Sequence, residues 1–467
     1  MTDHNNIAAS TTFSLQGTEL ASVYFLGIGG IGMSALARYF MSKGTKVSGY
    51  DKTSTVLTSQ LQSEGIAIHY TDDVNLIDKD AAIIVYTPAI PAGHTELNYY
   101  KNNNYRLMKR SEVLGMITRD QYNICIAGTH GKTTTSAIIA HILRDAGPGC
   151  NAFLGGIASN YNSNFWSSQN NICVAEADEY DRSFLQLSPD VAVITAMDAD
   201  HLDIYGTEKN MQDAFVAFTQ RIKEGGLLIS KKGLERAGEF GGATKMTYAI
   251  NDNSADIFTK NTRILNGSYL FDLVIKGDAI HDIELNMGGM HNIENVIAAI
   301  AIARHMGIEE AGIKKAVAGF TGVKRRFEYI LKQEDVVMID DYAHHPEELR
   351  ALLLSAKELF PGKKCTIVFQ PHLFSRTQDL AKGFAEVLDM ADEIILLPIY
   401  PARELPIAGV SSQLIIDNMK QANKSIKEKE ELLQWASENT PELFIISGAG
   451  DIDTLIEPLK RLLQKVI

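Results

Sequence analysis

Cysteine is scarce in this sequence, and its spacing is not that of a metal-binding or redox-active set. Four cysteines occur among 467 residues, without a CxxC pair, and Cys125, Cys173 and Cys365 lie within apolar runs that resemble strands. Secreted domains and zinc sites use closely spaced cysteines, whereas reducing compartments keep isolated thiols free. The pattern therefore favours a reducing compartment, with the cysteines packed in the hydrophobic core.

Long hydrophobic runs and clusters of positive charge are also missing. No stretch reaches the roughly 18 apolar residues of a membrane-spanning helix, and the start MTDHNNIAASTTFS is polar, unlike a secretory signal. The net charge is −13 and the lysines and arginines are scattered, which argues against nucleic acid as the principal partner. We expect a cytoplasmic protein, without a membrane or nucleic-acid partner, that begins with a disordered leader at residues 1–17.

The length and the residue pattern predict several α/β domains. A chain of 467 residues is too long for one core, because domains usually contain roughly 100 to 200 residues. Short β-branched runs alternate with amphipathic helical stretches, which indicates parallel sheets covered by crossover helices. Three such units follow one another, and they begin near Val23, Asn123 and Lys324.

The second unit opens with a loop that is typical of phosphate binding. A predicted strand at 123–127 leads into Gly128, Thr129, His130, Gly131, Lys132, Thr133 and Thr134, and a predicted helix follows. In such loops the backbone amides surround phosphate oxygens, the lysine supplies a positive charge, and the hydroxyl can bind Mg²⁺. Ile126 stands where the standard P-loop has a glycine, so we interpret this loop as a shorter variant.

The first unit contains a glycine-rich loop after its first strand. The loop consists of Gly27, Ile28, Gly29, Gly30, Ile31 and Gly32, and Asp51 follows the last glycine by 19 residues. This is the pattern of a dinucleotide-binding loop, and alone it would suggest an NAD-dependent enzyme. The loop requires only a pyrophosphate at a helix N-terminus, however, and a UDP-sugar also carries one.

Acidic residues and histidines follow several other predicted strands. Glu176 and His201 each come after a strand of the P-loop unit, where a carboxylate and an imidazole could hold Mg²⁺ beside ATP. In the third unit the segment 340–346 packs two acids, a phenol and two imidazoles into one loop. Arg326 and Arg376 are candidate clamps for phosphate or carboxylate groups.

The motifs together resemble the Mur ligase family, and within it the alanine-adding branch. They occur in family order from about residue 22 to the end, as GIGGIGMSALA, GTHGKTTTS, VAEADEYDRSFL, DADHLD, MHNIENVIAA, GVKRRFE, DDYAHHPEE, VFQPHLFSRTQDL, YPARELPI and SGAGDI. The resemblance implies three domains. A Rossmann-like UDP-sugar-binding domain would span 18–112, a P-loop ATPase-like domain 113–322, and a Rossmann-like domain that closes over ATP and the amino acid 323–467.

The resemblance also implies a reaction. An ADP-forming ligase of this kind would join L-alanine to the carboxylate of UDP-N-acetylmuramate through an acyl phosphate, in peptidoglycan precursor synthesis. It would use ATP and two Mg²⁺ ions, and it would be a monomer or a homodimer.

The site residues are assigned accordingly. The catalytic residues would be Lys132, Glu176 and His201, and the metal ligands Thr133, Glu176 and His201. Besides the P-loop, ATP would contact His291, Asn292, Asn295, Arg326 and Asp341. The UDP-sugar would contact Gly27, Gly29, Gly30, Ile31, Gly32, Asp51, Thr87 and Arg110. The amino acid would lie near Tyr342, His344, His345, His372 and Arg376.

Two positions depart from the family pattern. Leu373 replaces a basic residue that many relatives have, and Arg403 stands where a glycine is common.

Three alternative functions remain. A recycling ligase would attach a tripeptide to the same sugar. An NAD-dependent dehydrogenase would leave the P-loop unexplained, and a non-catalytic nucleotide sensor would not need Glu176 or His201.

Overall fold

The computed structural model describes residues 14, 15, 18–402 and 404–464. They form two compact units. The first unit comprises residues up to 157, 163–248 and 302–308; the second comprises 158–162, 249–301 and 309 onward. The predicted domain boundaries remain predictions.

A parallel sheet opens the first unit. After the short pair β1 (Ser14–Leu15) and β2 (Thr18–Glu19), its strands are β3 (Ser22–Leu26), β4 (Lys46–Tyr50), β5 (Ala67–His69), β6 (Ile83–Tyr86) and β7 (Leu107–Lys109), in the order β5-β4-β3-β6-β7. Its helices are α1 (Ile31–Ser42), α2 (Val56–Ser63), α3 (Thr95–Asn102) and α4 (Arg110–Thr118). β3 is buried along its whole length, as its largely apolar sequence predicts.

The P-loop strand lies inside a second sheet of the same unit. The strands are β8 (Tyr122–Ala127), β9 (Asn151–Ala158), β10 (Ser163–Trp166), β11 (Ile172–Glu176), β12 (Val191–Ile194), β13 (Leu227–Lys231) and β14 (Thr244–Ala249), in the order β10-β9-β11-β8-β12-β13-β14. The helices are α5 (Lys132–Ala146), α6 (Leu202–Tyr205) and α7 (Glu208–Thr219), with 3-10 segments at Tyr180–Gln186 and Ala237–Glu239. Because β8 is parallel to both β11 and β12, the segments after all three strands emerge at one edge.

The second unit begins with an antiparallel meander. Its strands are β15 (Ile257–Leu265), β16 (Ser268–Ile275) and β17 (Asp278–Leu285), followed by α8 (Met290–His305), whose last residues belong to the first unit, and α9 (Glu310–Gly319).

A mainly parallel sheet completes the second unit. Its strands are β18 (Glu328–Lys332), β19 (Val337–Asp341), β20 (Cys365–Phe369), β21 (Glu393–Leu396), β22 (Lys424–Ile426) and β23 (Leu443–Ser447), in the order β18-β19-β23-β20-β21-β22, with β18 antiparallel to β19. The helices are α10 (Pro346–Leu359), α11 (Phe374–Leu388), α12 (Gln413–Ile416), α13 (Lys429–Glu438) and α14 (Ile456–Gln464), with a 3-10 segment at Asp451–Leu455.

The predicted α/β fold class is confirmed. All four cysteines are buried free thiols, as expected of core residues, and no helix in the described ranges is long and apolar enough to span a membrane. One expectation fails for residues 14 and 15, which were assigned to a disordered leader but pair with Thr18–Glu19. The rest of that leader, residues 1–13, 16 and 17, lies outside the described residues, as does Arg403.

Candidate active site

The P-loop joins β8 to α5 and depends on two glycines. Gly128 has a φ of +140°, and a Cβ there would lie 2.0 Å from Thr195 Oγ1. Gly131, with a φ of +83°, precedes the first residue of α5. Both conformations are costly for other residues, so the local sequence fixes the turn that directs the helix N-terminus toward a ligand.

Lys132 forms an ion pair that the sequence analysis missed. Its Nζ donates to Gly128 O at 2.6 Å and to Glu179 Oε1 at 2.7 Å. The Glu179 side chain is 1% exposed, and its Oε2 has no hydrogen-bond partner among the described residues. The sequence signal was present, because Glu179 lies in the motif VAEADEYD three positions after Glu176.

Thr133 and Glu176, both predicted metal ligands, are in direct contact. The Thr133 hydroxyl and the Gly155 backbone N–H each donate to Glu176 Oε2 at 2.9 Å. A Cβ at position 155 would lie 2.1 Å from the same oxygen, so this close approach requires glycine. The hydroxyl and the carboxylate are hard oxygen donors that suit Mg²⁺.

His201, the third predicted metal ligand, lies in a different group of potential metal ligands. Its Nε2 is 3.9 Å from Glu179 Oε1 and 3.7 Å from Asp200 Oδ2. One potential ligand atom from each of these three residues falls within 4.8 Å of the others, and within the described chain this group does not include Glu176. Oxygen and imidazole donors fit a divalent cation, so Glu179 and Asp200 are candidate ligands that sequence reasoning did not identify.

The glycine-rich loop contacts Asp51, Thr87 and Arg110, the other residues predicted to bind the UDP-sugar. The Gly29 N–H donates to Asp51 Oδ2 at 2.8 Å. A Cβ at Gly27 would lie 2.8 Å from Thr87 Cγ2, and one at Gly32 would lie 2.9 Å from Arg110 Nη1. Gly30 precedes Ile31, the first residue of α1. The eight residues assigned to the UDP-sugar therefore gather at the carboxyl edge of the first sheet.

The end of the glycine-rich loop and Glu176, which contacts the P-loop residue Thr133, line one pocket. From the first sheet it is lined by Ile31, Gly32, Ala35, Leu36, Arg110 and Leu114. From the second sheet it is lined by Phe153, Leu154, Gly155, Glu176 and Asp178. Arg110 Nη2 also donates to Asp178 Oδ2 at 3.1 Å. A ligand on the glycine-rich loop would thus face the Glu176 carboxylate.

In the second unit, two adjacent acids end β19. Asp341 accepts hydrogen bonds from the N–H groups of Phe327 and Ala343, each at 2.7 Å. Burial nevertheless raises the pKa of Asp341 to about 6 and that of Asp340 to about 7.

The residues predicted to contact the amino-acid substrate lie in this unit, and three of their rings are neighbours. The His344 ring centroid is 5.2 Å from that of Tyr342 and 6.2 Å from that of His372. His345 precedes α10, and its N–H donates to Glu348 Oε2. His372 Nδ1 and Arg376 Nη1 are buried without a hydrogen-bond partner in the described part of the chain. Burial, and then the charge of Arg376, lower the pKa of His372.

Arg326 is exposed, whereas the neighbouring Arg325 contacts other residues of the same unit. The Arg325 guanidinium donates to Gly448 O, lies 5.1 Å from the Tyr342 ring centroid, and places Nε 3.6 Å from Asp340 Oδ2. The contact of Arg326 with ATP stays a prediction.

The remaining assigned residues lie on α8 and before α11. His291 is exposed, whereas Asn292 and Asn295 are buried and joined by a hydrogen bond of 3.0 Å from Asn295 Nδ2 to Asn292 Oδ1. Leu373 has a φ of +70° directly before α11. The structure offers no side-chain reason for leucine at that position.

Proteins of one family resemble this chain over most of its length. Three family models match: "Mur ligase family, catalytic domain" at residues 22–122, "Mur ligase middle domain" at 126–303, and "Mur ligase, glutamate ligase domain" at 325–450. The UDP-N-acetylmuramate–L-alanine ligase of Parabacteroides distasonis is 49% identical over 458 residues, covering 96% of this chain and 98% of that protein. Its namesake from Flavobacterium johnsoniae is 46% identical over 453 residues, covering 96% and 99%.

A solved structure is similar over the same extent. The crystal structure of UDP-N-acetylmuramate-alanine ligase from Thermotoga maritima superposes with a TM-score of 0.81 at 27% identity, covering 96% of this chain and 99% of that one. A murein peptide ligase from Psychrobacter arcticus shares the fold, with a TM-score of 0.65 at 20% identity. The chain belongs to the Mur ligase family.

Proposed function

We propose that this protein is an ATP-dependent, ADP-forming ligase that joins L-alanine to the carboxylate of UDP-N-acetylmuramate in peptidoglycan precursor synthesis. One observation carries the proposal: the glycine-rich loop and Glu176 of the P-loop region line a single pocket. A UDP-sugar on the first would present its carboxylate to the γ-phosphate of ATP on the second. The high identity to the alanine ligases over almost the whole chain supports this substrate pair.

The chemistry requires activation of the carboxylate, because hydroxide is a poor leaving group. A carboxylate oxygen of the sugar attacks the γ-phosphorus, ADP leaves, and an acyl phosphate forms. The neutral amine of alanine then attacks the acyl carbon, loses a proton, and expels inorganic phosphate. Lys132 stabilises the negative charge that moves during the first transfer.

Two groups of side chains fit Mg²⁺ and would hold it. Thr133 and Glu176 form one group, and Glu179, Asp200 and His201 form the other. Bound Mg²⁺ would neutralise phosphate charge during the transfer. Lys132 Nζ donates to Glu179 Oε1, so movement of Lys132 toward ATP would free that oxygen for a cation.

The remaining assigned residues are proposed to contact ATP or alanine. His291, Asn292, Asn295, Arg326 and Asp341 would meet ATP, and the cluster of Tyr342, His344, His345, His372 and Arg376 would receive alanine. The unpartnered atoms of His372 and Arg376 support the latter, since a carboxylate would satisfy both. We further propose a cytoplasmic enzyme that is a monomer or a homodimer.

The test is product analysis with purified protein. ATP, Mg²⁺ and UDP-N-acetylmuramate are incubated with alanine, with the tripeptide of the recycling reaction, or with NAD in place of ATP, and products are identified by mass spectrometry. We expect the alanyl adduct together with one phosphate released per amide formed. Faster reaction with the tripeptide would favour the recycling ligase, and NAD reduction without phosphate release would favour the dehydrogenase.

A further inference from the structure

A buried polar network joins α1 to strand β10 in the first unit. Arg38, on α1, is 5% exposed. Its Nε and Nη2 donate to the two carboxylate oxygens of Glu64 at 2.8 and 2.7 Å, and its Nη1 donates to Asn164 Oδ1 at 2.5 Å. One guanidinium therefore connects two segments that are 126 residues apart in the chain.

Asn164 carries the connection to the first turn of α1. Its side chain is completely buried, and its Nδ2 donates to Ile31 O at 2.5 Å and to Ser34 Oγ at 3.0 Å. Ile31 is the first residue of α1 and lines the shared pocket. The amide thus holds the helix start, where the glycine-rich loop ends, as well as Arg38 two turns later.

Helix α1 also packs against β9, the strand whose Gly155 contacts Glu176. Tyr39 of α1 packs against Phe153 and Phe165, with ring centroids 5.4 and 6.1 Å away. Phe153 belongs to β9, which also carries Gly155, the donor to Glu176 Oε2. The position of the glycine-rich loop relative to Glu176 is therefore set where α1 meets β9 and β10.

Stability alone is a weak reason for such a network. A buried ion pair contributes little more than apolar residues of equal volume, and the aromatic contacts of Tyr39 already hold the surfaces together. Aromatic contacts tolerate sliding, however, whereas the donors and acceptors of Asn164 match only one register of α1 against β10.

We propose that Arg38 and Asn164 are positioning residues, which hold the start of α1 so that the ligand of the glycine-rich loop meets the phosphate transferred beside Glu176. The inference rests on the proposed function. Because a displacement of about 1 Å can cost about 10²-fold in rate, loss of the network should lower kcat more than substrate affinity.

The chain offers a matched control. Asn151 on β9 is also buried, and its side chain also makes three hydrogen bonds, to Asn170 O, to Ile172 O and from Ser168 N. These partners are all outside α1. Asn151→Leu should therefore lower the melting temperature about as much as Asn164→Leu, without changing the register of α1.

Phosphate release at saturating substrates is measured for both variants, with calorimetry for UDP-N-acetylmuramate and thermal unfolding. In Asn164→Leu we expect kcat to fall about tenfold or more while the sugar Kd changes by less than about threefold; in Asn151→Leu we expect kcat to stay near wild type. Equal loss of kcat in both variants, or none in Asn164→Leu, would overturn the positioning role.

A second variant avoids the risk of an unpaired buried charge. Arg38→Met combined with Glu64→Leu removes both charges but deprives Asn164 of its guanidinium partner. We expect a lower kcat; a wild-type kcat would count against the proposal. If wild-type protein forms no alanyl product at all, the proposed function has failed instead.

Discussion

Replacing Lys132 by alanine should remove both catalytic rate and stability. A preorganised charge aimed at a transferring group is worth ~3 kcal/mol, so kcat should fall by about 10² or more. The Lys132 ammonium is also 2.7 Å from Glu179 Oε1, and Glu179 is 1% exposed. Leaving a buried carboxylate without its counter-charge typically costs about 3 to 5 kcal/mol, so the melting temperature should fall as well.

The double variant Lys132→Ala, Glu179→Gln separates the two effects. A neutral amide needs no counter-charge, so the melting temperature should recover. The kcat should stay low by at least about 10²-fold, because Glu179 is also a candidate Mg²⁺ ligand. Phosphate release, thermal unfolding without ligand, and calorimetry with UDP-N-acetylmuramate measure the three quantities, and the sugar affinity should hardly change. A wild-type kcat in Lys132→Ala, or recovery of kcat in the double variant, would refute the role assigned to Lys132.

Three further outcomes are expected. Gly155→Ala should shift the Mg²⁺ activation curve, because the new Cβ would lie 2.1 Å from Glu176 Oε2, whereas Gly93→Ala, with open space at that Cβ, should not. Burial raises the pKa of Asp340 from 3.8 to about 7, so the native state retains a proton that the unfolded state releases; stability should fall as pH rises from 4 to 7, and Asp340→Asn should flatten the plot of melting temperature against pH. Glycine should react with a kcat/KM about 10 to 200-fold below that of alanine, because one methyl group contributes ~1 to 3 kcal/mol; leucine outperforming alanine in phosphate release would contradict this substrate assignment.

Local sequence determined the α/β class and the two loops. The pattern of apolar residues predicted the P-loop strand at 123–127, one residue short of the observed Tyr122–Ala127, and the glycines at 27, 128 and 131 adopt the positive φ values that such turns require. These features depend on neighbouring residues along the chain, so they can be predicted without knowing the fold. The family motifs similarly placed Thr133 and Glu176 together before the fold was known.

Only the tertiary structure decided which distant side chains share a site. Glu179 reaches Lys132 over 47 residues because β11 lies next to β8 in the sheet, and Asn164 reaches α1 because β10 packs against that helix. Arg325, and not Arg326, contacts Gly448 and Tyr342, because the turn after residue 323 directs the Arg325 side chain inward. Strand order and side-chain direction arise from packing among segments far apart in sequence, and motif spacing does not encode them.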